Sequence, residues 1–146
     1  MSAAKVIFYA RSFSIGRLVL TSVSSPINWI LRSEGLAVFS FAIGMYFQQD
    51  YSWVTFAILF LMPDLSFSGY LINNKIGAIA YNTAHSYIGA SISLAVGFFL
   101  GVESALLVGL IWAAHIGFDR ALGYGLKYGN GFGFTHLGMI GKAKGT

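Results

Sequence analysis

Four long apolar stretches separated by short polar turns dominate the chain. They cover residues 35–47, 51–70, 76–100 and 104–126. A membrane-spanning helix needs about 20 mainly apolar residues, so the first stretch must recruit its polar flanks. The turns QQD (48–50) and GVE (101–103) join the stretches as hairpins. The pattern predicts an all-α integral membrane bundle of four transmembrane helices.

Composition agrees with this prediction. Hydrophobic residues make up 56% of the chain and charged residues only 10%, against roughly 25% charged residues in a soluble domain. The chain has no cysteine, which excludes disulfides, thiolate metal sites and cysteine nucleophiles. In a membrane protein a net charge of +4 reflects topology and anionic headgroups. The expected partners are therefore membrane lipids and not nucleic acid.

Charges alternate from one connection to the next. Basic residues precede the first span, follow the fourth and occur in the second connection as Lys75, whereas the other two turns carry only Asp50 or Glu103. By the positive-inside rule, both termini and the second connection are cytoplasmic. We expect a bacterial inner membrane; in an organelle the same face would be matrix or stroma.

Three regions are predicted. Residues 1–33 contain four basic residues and no acid. A mid-span Arg costs about 2.5–3.5 kcal/mol, so these residues are expected to form an N-terminal interfacial segment. A transit peptide shares this composition but would be amphipathic. Residues 34–126 form the transmembrane domain. Residues 127–146 form a Gly-rich cytoplasmic tail that folds back over the membrane edge.

One ionisable residue from each span is predicted to reach nearly the same depth. Counting 1.5 Å per residue from the outer turns places Glu34, Asp64, His85 and Asp119 about 21–24 Å into the bilayer. His115 lies one turn shallower than Asp119, and their i, i+4 spacing puts both on one helix face.

Imidazole and carboxylate on one face can form half of a divalent-metal site. The predicted metal ligands are Asp64, His85, His115 and Asp119, and the expected ion is zinc, manganese or iron. Glu34 is expected to act as a further ligand or general base, and Arg120 to hold an anionic group such as a lipid phosphate. Three carboxylates less one guanidinium leave two negative charges, which a divalent ion balances.

Other interpretations fit the same residues. In a purely structural network, Arg120 bridges Asp64 or Glu34 while the histidines bond the remaining carboxylate. Haem ligation by His85 and His115 fits less well, because their estimated depths differ. The apolar outer halves of the spans argue against a channel or transporter. His136 is either a surface residue or a further ligand.

Five motifs resemble a family of small bacterial four-helix membrane proteins catalogued as a domain of unknown function (family 4260). They are RSEG (32–35), PDLSFSGY (63–70), YNTAHSY (81–87), HIGFDRALGYGLKY (115–128) and THLG (135–138). The resemblance implies that the ionisable residues of these motifs act as one set, and it supplies no activity. A more distant similarity links the chain to membrane-bound metal-dependent hydrolases, although Ser66 stands where those proteins carry a second carboxylate.

Two functional hypotheses follow. The first is metal-assisted hydrolysis at the membrane edge. The second is a non-catalytic accessory or structural subunit of a larger membrane complex, in which the polar layer holds the bundle together.

Overall fold

A computed structural model describes residues 25–140, which are mostly helical. The α-helices are α1 (Ser25–Gln48), α2 (Trp53–Phe60), α3 (Asn74–Ala84), α4 (Tyr87–Leu100) and α5 (Glu103–Leu122). A 3₁₀ helix (Pro63–Leu71) lies between α2 and α3, and strands β1 (Phe134–Thr135) and β2 (Gly138–Met139) pair antiparallel after α5. Residues 1–24, most of the predicted interfacial segment, and residues 141–146 of the predicted tail lie outside the described residues.

Four helical stretches are long and apolar enough to cross a membrane. They are Pro26–Gln48, Trp53–Leu71, Asn74–Leu100 and Glu103–Leu122. Large apolar side chains such as Phe41, Phe98 and Phe99 are exposed on the outside of the bundle, as a lipid environment requires. The predicted four-span membrane bundle is confirmed.

The ends of the bundle differ from the predicted boundaries at residues 34 and 126. α1 begins at Ser25, so nine further residues, Arg32 among them, are helical. Nε of Arg32 donates to the carbonyl of Ala121 at 2.8 Å, which places the cation at the negative end of α5. α5 ends at Leu122 because Gly123 adopts a left-handed conformation with φ of +94°.

The second and third spans are both interrupted. α2 ends at Phe60, and the chain tightens into the 3₁₀ helix that begins at Pro63. The third span breaks where His85 ends α3 and Ser86, with extended backbone, precedes α4. Both breaks occur next to a predicted site residue, since Asp64 follows Pro63 directly.

α5 satisfies the backbone that the break in the third span exposes. Nε1 of Trp112 donates to the carbonyl of Ala84 at 2.6 Å, and a guanidinium nitrogen of Arg120 donates to the carbonyl of His85 at 3.3 Å. Non-helical backbone at membrane depth is tolerated where other protein groups bond to it. The break is therefore a supported feature of the fold.

α5 is the central helix, and it packs along both α1 and α4. Its contact with α1 is backbone to backbone: a Cβ on Gly117 would lie 2.7 Å from the Phe39 nitrogen, and one on Gly35 would lie 2.8 Å from the Ala121 nitrogen. Small residues at a helix crossing permit this approach. The crossing brings α1 against the end of α5 that carries the predicted site.

The tail folds back onto α3, and Asn82 holds it there. The Asn82 side chain donates to the Lys127 carbonyl at 2.9 Å and accepts from the Lys127 amide at 2.7 Å. Thr135 pairs with Lys127 in a β-bridge and with Gly138 in the hairpin. The tail is thus more regular than its glycine content suggested.

Lys127 gives the tail a pH-dependent stability. Its Nζ lies 3.9 Å from the centre of the Phe132 ring and 4.9 Å from that of Tyr81, and it has no hydrogen-bond partner among the described residues. Burial lowers the pKa of the Lys127 ammonium from 10.5 to about 8, although the Asp119 carboxylate opposes the shift.

We therefore expect stability to rise with pH between about 8 and 10.5, because in this range the unfolded chain binds a proton that the folded chain has lost. Thermal unfolding in detergent across that range measures the effect. A Lys127→Met variant, which keeps the packing volume, should show a smaller rise. Equal slopes in parent and variant would contradict the assignment.

Candidate metal centre and adjacent cleft

Three potential ligand atoms face one another where the two broken spans meet α5. Nε2 of His85 lies 3.1 Å from Nε2 of His115, and Oδ1 of Asp64 lies 3.5 Å and 3.6 Å from these two atoms. The circle through the three atoms has a radius of about 2.0 Å, which is that of three ligands around a tetrahedral ion with bonds of about 2.1 Å. The triangle therefore has the dimensions of a zinc-type site with one open position.

Each ligand occupies its place for a local reason. Asp64 lies in the first turn of the 3₁₀ helix, directly after Pro63, the residue that begins this helix. His85 ends α3 at the break in the third span. His115 lies within the last two turns of α5 and is buried, as is His85. The side chain of Asp64 is 39% exposed, so the site is open on the aspartate side.

Tyr81 orients His85. Nδ1 of His85 lies 3.0 Å from the Tyr81 carbonyl, to which it donates, and the two rings stack with centres 3.7 Å apart. The proton on Nδ1 leaves a lone pair on Nε2, the tautomer that a metal requires. Tyr81 precedes His85 by one helical turn, and this spacing is the feature of the sequence that predicts contact between the two residues.

His115 has a different environment. The Phe60 ring packs edge-on against its imidazole at 5.1 Å. Its Nδ1 is buried and has no hydrogen-bond partner among the described residues. Without a metal, a proton on Nε2 lets His115 donate to His85; with a metal, Nε2 must be free. The position of the proton on the His115 ring therefore differs between the metal-free and the metal-bound site.

Asp119 lies beside the triangle. Its Oδ2 is 3.6 Å from Nε2 of His85 and 4.0 Å from Nε2 of His115, and it accepts a hydrogen bond from the Tyr81 hydroxyl at 3.1 Å. The compact group that could hold an ion contains Asp64, His85 and His115 without Asp119. Three of the four predicted ligands therefore converge, and the fourth borders them.

Among the described residues, no side-chain nitrogen of Lys or Arg lies within 4.0 Å of a carboxylate oxygen of Glu34, Asp64 or Asp119. The structural network in which Arg120 bridges a carboxylate is thus absent from this part of the chain. Two carboxylates and two imidazoles share a largely buried space, where uncompensated charge is costly. A bound divalent cation would balance the two carboxylates.

The family model described as "Domain of unknown function (DUF4260)" matches residues 28–140. The chain belongs to this family. The matched region includes α1 from its fourth residue, the other four α-helices, the hairpin and every residue of the site. No curated protein and no solved structure matches the chain. The predicted family is confirmed, and the likeness to membrane-bound hydrolases stays an analogy.

The two histidine side chains meet although the depth count separated their positions. His85 and His115 were expected at different depths, yet their Nε2 atoms are in contact. The count assumed a continuous helix back from residue 101, whereas α4 begins only at Tyr87. The same contact disfavours haem ligation, since it leaves no space for a porphyrin between the two nitrogens.

Glu34 and Arg120, the predicted catalytic pair, lie together in an adjacent cleft of about 320 Å³. Tyr87 and His136 also line this cleft. Glu34 is exposed and does not belong to the ligand group. A role for Tyr87 was not predicted, although this residue ends the motif YNTAHSY (81–87).

Proposed function

We propose that this protein is a metal-dependent hydrolase whose ion is held by Asp64, His85 and His115. The observation that supports the proposal most strongly is the triangle of ligand atoms, whose size matches a tetrahedral ion. Three protein ligands leave a fourth position for water, which is the arrangement of catalytic zinc sites. Manganese and iron accept the same imidazole and carboxylate donors.

A bound divalent ion lowers the pKa of its water toward 7. The residues around it then have to accept and return one proton. Asp119 is better placed for this than Glu34, because Oδ2 of Asp119 borders the ligand atoms while Glu34 lines the neighbouring cleft. The Tyr81 hydroxyl fixes Asp119 by its hydrogen bond.

The proposed reaction is the hydrolysis of an ester bond. Asp119 takes a proton from the water, and the water oxygen forms a bond to the carbonyl carbon or phosphorus of the substrate. The ester bond to the leaving oxygen breaks, and Asp119 returns its proton to that oxygen. No redox partner is needed, since water supplies every atom that the products gain.

The test is hydrolysis by detergent-purified protein that has been stripped with a chelator and reloaded with zinc, manganese or iron. Aryl esters, aryl phosphates and phospholipids serve as substrates. We expect the ion to restore activity and Asp119→Asn to lower kcat by about 10²–10⁴-fold while metal content is kept. A metal-loaded protein that hydrolyses none of these substrates, or activity that survives the chelator, would overturn the proposal.

A further inference from the structure

The cleft beside the metal centre contains hydrogen-bond donors that residues 25–140 leave wholly or partly without acceptors. It lies between α1, the start of α4, the end of α5 and the tail, and its polar lining residues are Glu34, Tyr87, Arg120 and His136. Leu31, Val38 and Leu137 supply apolar walls. The polar groups can be assigned as donors or acceptors one by one.

His136 faces Arg120 as a donor. Nδ1 of His136 accepts a hydrogen bond from the Leu126 amide at 2.8 Å, so this nitrogen carries no proton. Burial, followed by the Arg120 charge, lowers the pKa of His136 below its usual 6.5, and the ring is neutral at pH 7. The proton of a neutral imidazole must then be on Nε2. Nε2 lies 3.5 Å from a guanidinium nitrogen of Arg120, and two N–H groups cannot bond to each other.

Arg120 is poorly satisfied by the protein. Its guanidinium makes only long contacts, to the carbonyl of Tyr124 at 3.5 Å and to that of His85 at 3.3 Å. Among residues 25–140 it has no carboxylate within 4.0 Å. A half-buried guanidinium is a donor of five hydrogen bonds, and the carbonyls of the described residues accept only two of them.

Tyr87 contributes a third hydrogen-bond donor, and its place at the start of α4 adds a positive electrostatic potential. Its hydroxyl is buried and has no hydrogen-bond partner among the described residues. Tyr87 is also the first residue of α4, a helix of 14 residues whose N-cap side chain makes no capping bond. The amides and the positive dipole at such a helix end favour an anion.

We infer that the cleft formed by Tyr87, Arg120 and His136 binds a phosphate group. A phosphate offers several oxygens to donors that converge from different directions. Glu34 lines the same cleft but is exposed to solvent or headgroups, and its like charge weakens binding. The inference rests on the proposed function only for the claim that the bound phosphate belongs to the substrate.

Two sources of phosphate are distinguished by the probe. Equilibrium dialysis of radiolabelled inorganic phosphate against detergent-purified protein measures the free anion. Native mass spectrometry after titration with phosphatidic acid, compared with diacylglycerol of the same chains, measures the lipid headgroup. Preferential retention of phosphatidic acid with little binding of free phosphate assigns the site to a lipid, and the reverse assigns it to a soluble phosphate.

The variants separate this site from the metal centre. All measurements use chelator-treated protein, and a His115→Ala variant, which removes a metal ligand, should still bind phosphate. Arg120→Gln should weaken binding about ten- to a hundredfold, whereas Glu34→Gln should strengthen it. Arg32→Gln is the matched control, because Arg32 lies at the same end of the bundle but bonds to the Ala121 carbonyl outside the cleft. The inference fails if neither probe binds, or if Arg32→Gln and Arg120→Gln weaken binding equally.

Discussion

His115→Ala protein is expected to purify without metal, whereas the parent is expected to purify with a bound divalent ion. The substitution removes one corner of a triangle whose three sides are 3.1, 3.5 and 3.6 Å, and the two remaining ligands cannot define a tetrahedral site. Loss of a group that merely supports a ligand lowers metal affinity by 10–100-fold. Loss of a ligand itself should lower it by more than about 100-fold. Elemental mass spectrometry of detergent-purified protein makes the measurement.

His136→Ala is the matched control for this experiment. His136 is a histidine of the same membrane edge, but its Nδ1 bonds to the Leu126 amide and it is not part of the ligand group. It should therefore keep the metal. A well-folded parent that holds no zinc, manganese or iron would make the triangle a hydrogen-bonded charge network. Stable co-purification with stoichiometric partners would then favour the accessory subunit.

Gly35→Ala is expected to destabilise the bundle by about 1–3 kcal/mol, the usual cost of overpacking. The added methyl would lie 2.4 Å from Cβ of Arg120 and 2.8 Å from the Ala121 nitrogen. Because backbone atoms cannot rotate away, α1 must separate from α5. Unfolding titrations in mixed detergent measure the loss.

Gly44 provides the control on the same helix. A Cβ at Gly44 meets no atom within 4 Å, so Gly44→Ala should be neutral or stabilise the helix by up to about 1 kcal/mol. If the two variants change stability equally, close packing of Gly35 against α5 does not set the effect.

Hydrophobic pattern alone was sufficient to predict the four spans, because lipid exposure imposes a long apolar run on every spanning helix. It did not predict the breaks at Phe60 and at His85. Pro63 is a local signal at the first break, but at the second break the structure supplies a partner from a distant helix, Trp112 for the carbonyl of Ala84. Such partners leave no local trace in sequence.

The candidate site was predicted only in part, because contacts between distant helices leave no local trace in sequence. The i, i+4 spacing identified His115 and Asp119 as neighbours, and depth counting brought Asp64 and His85 toward them. The depth of a residue does not say on which face of its helix the side chain lies. Depth counting therefore could not distinguish Glu34 from the metal ligands. The roles of Tyr87 and Asn82 depend on where the tail folds, and the glycine-rich sequence does not specify that.

The attachment of the tail to Asn82 has a consequence for truncated chains. Asp64, His85 and His115 all precede the end of α5, whereas His136 and the backbone that Asn82 binds follow it. The ligand triangle therefore contains no residue of the tail, while the cleft takes one wall from it. A chain that stops after α5 would keep all three residues of the triangle and lose that wall, so truncation would separate the two halves of the site.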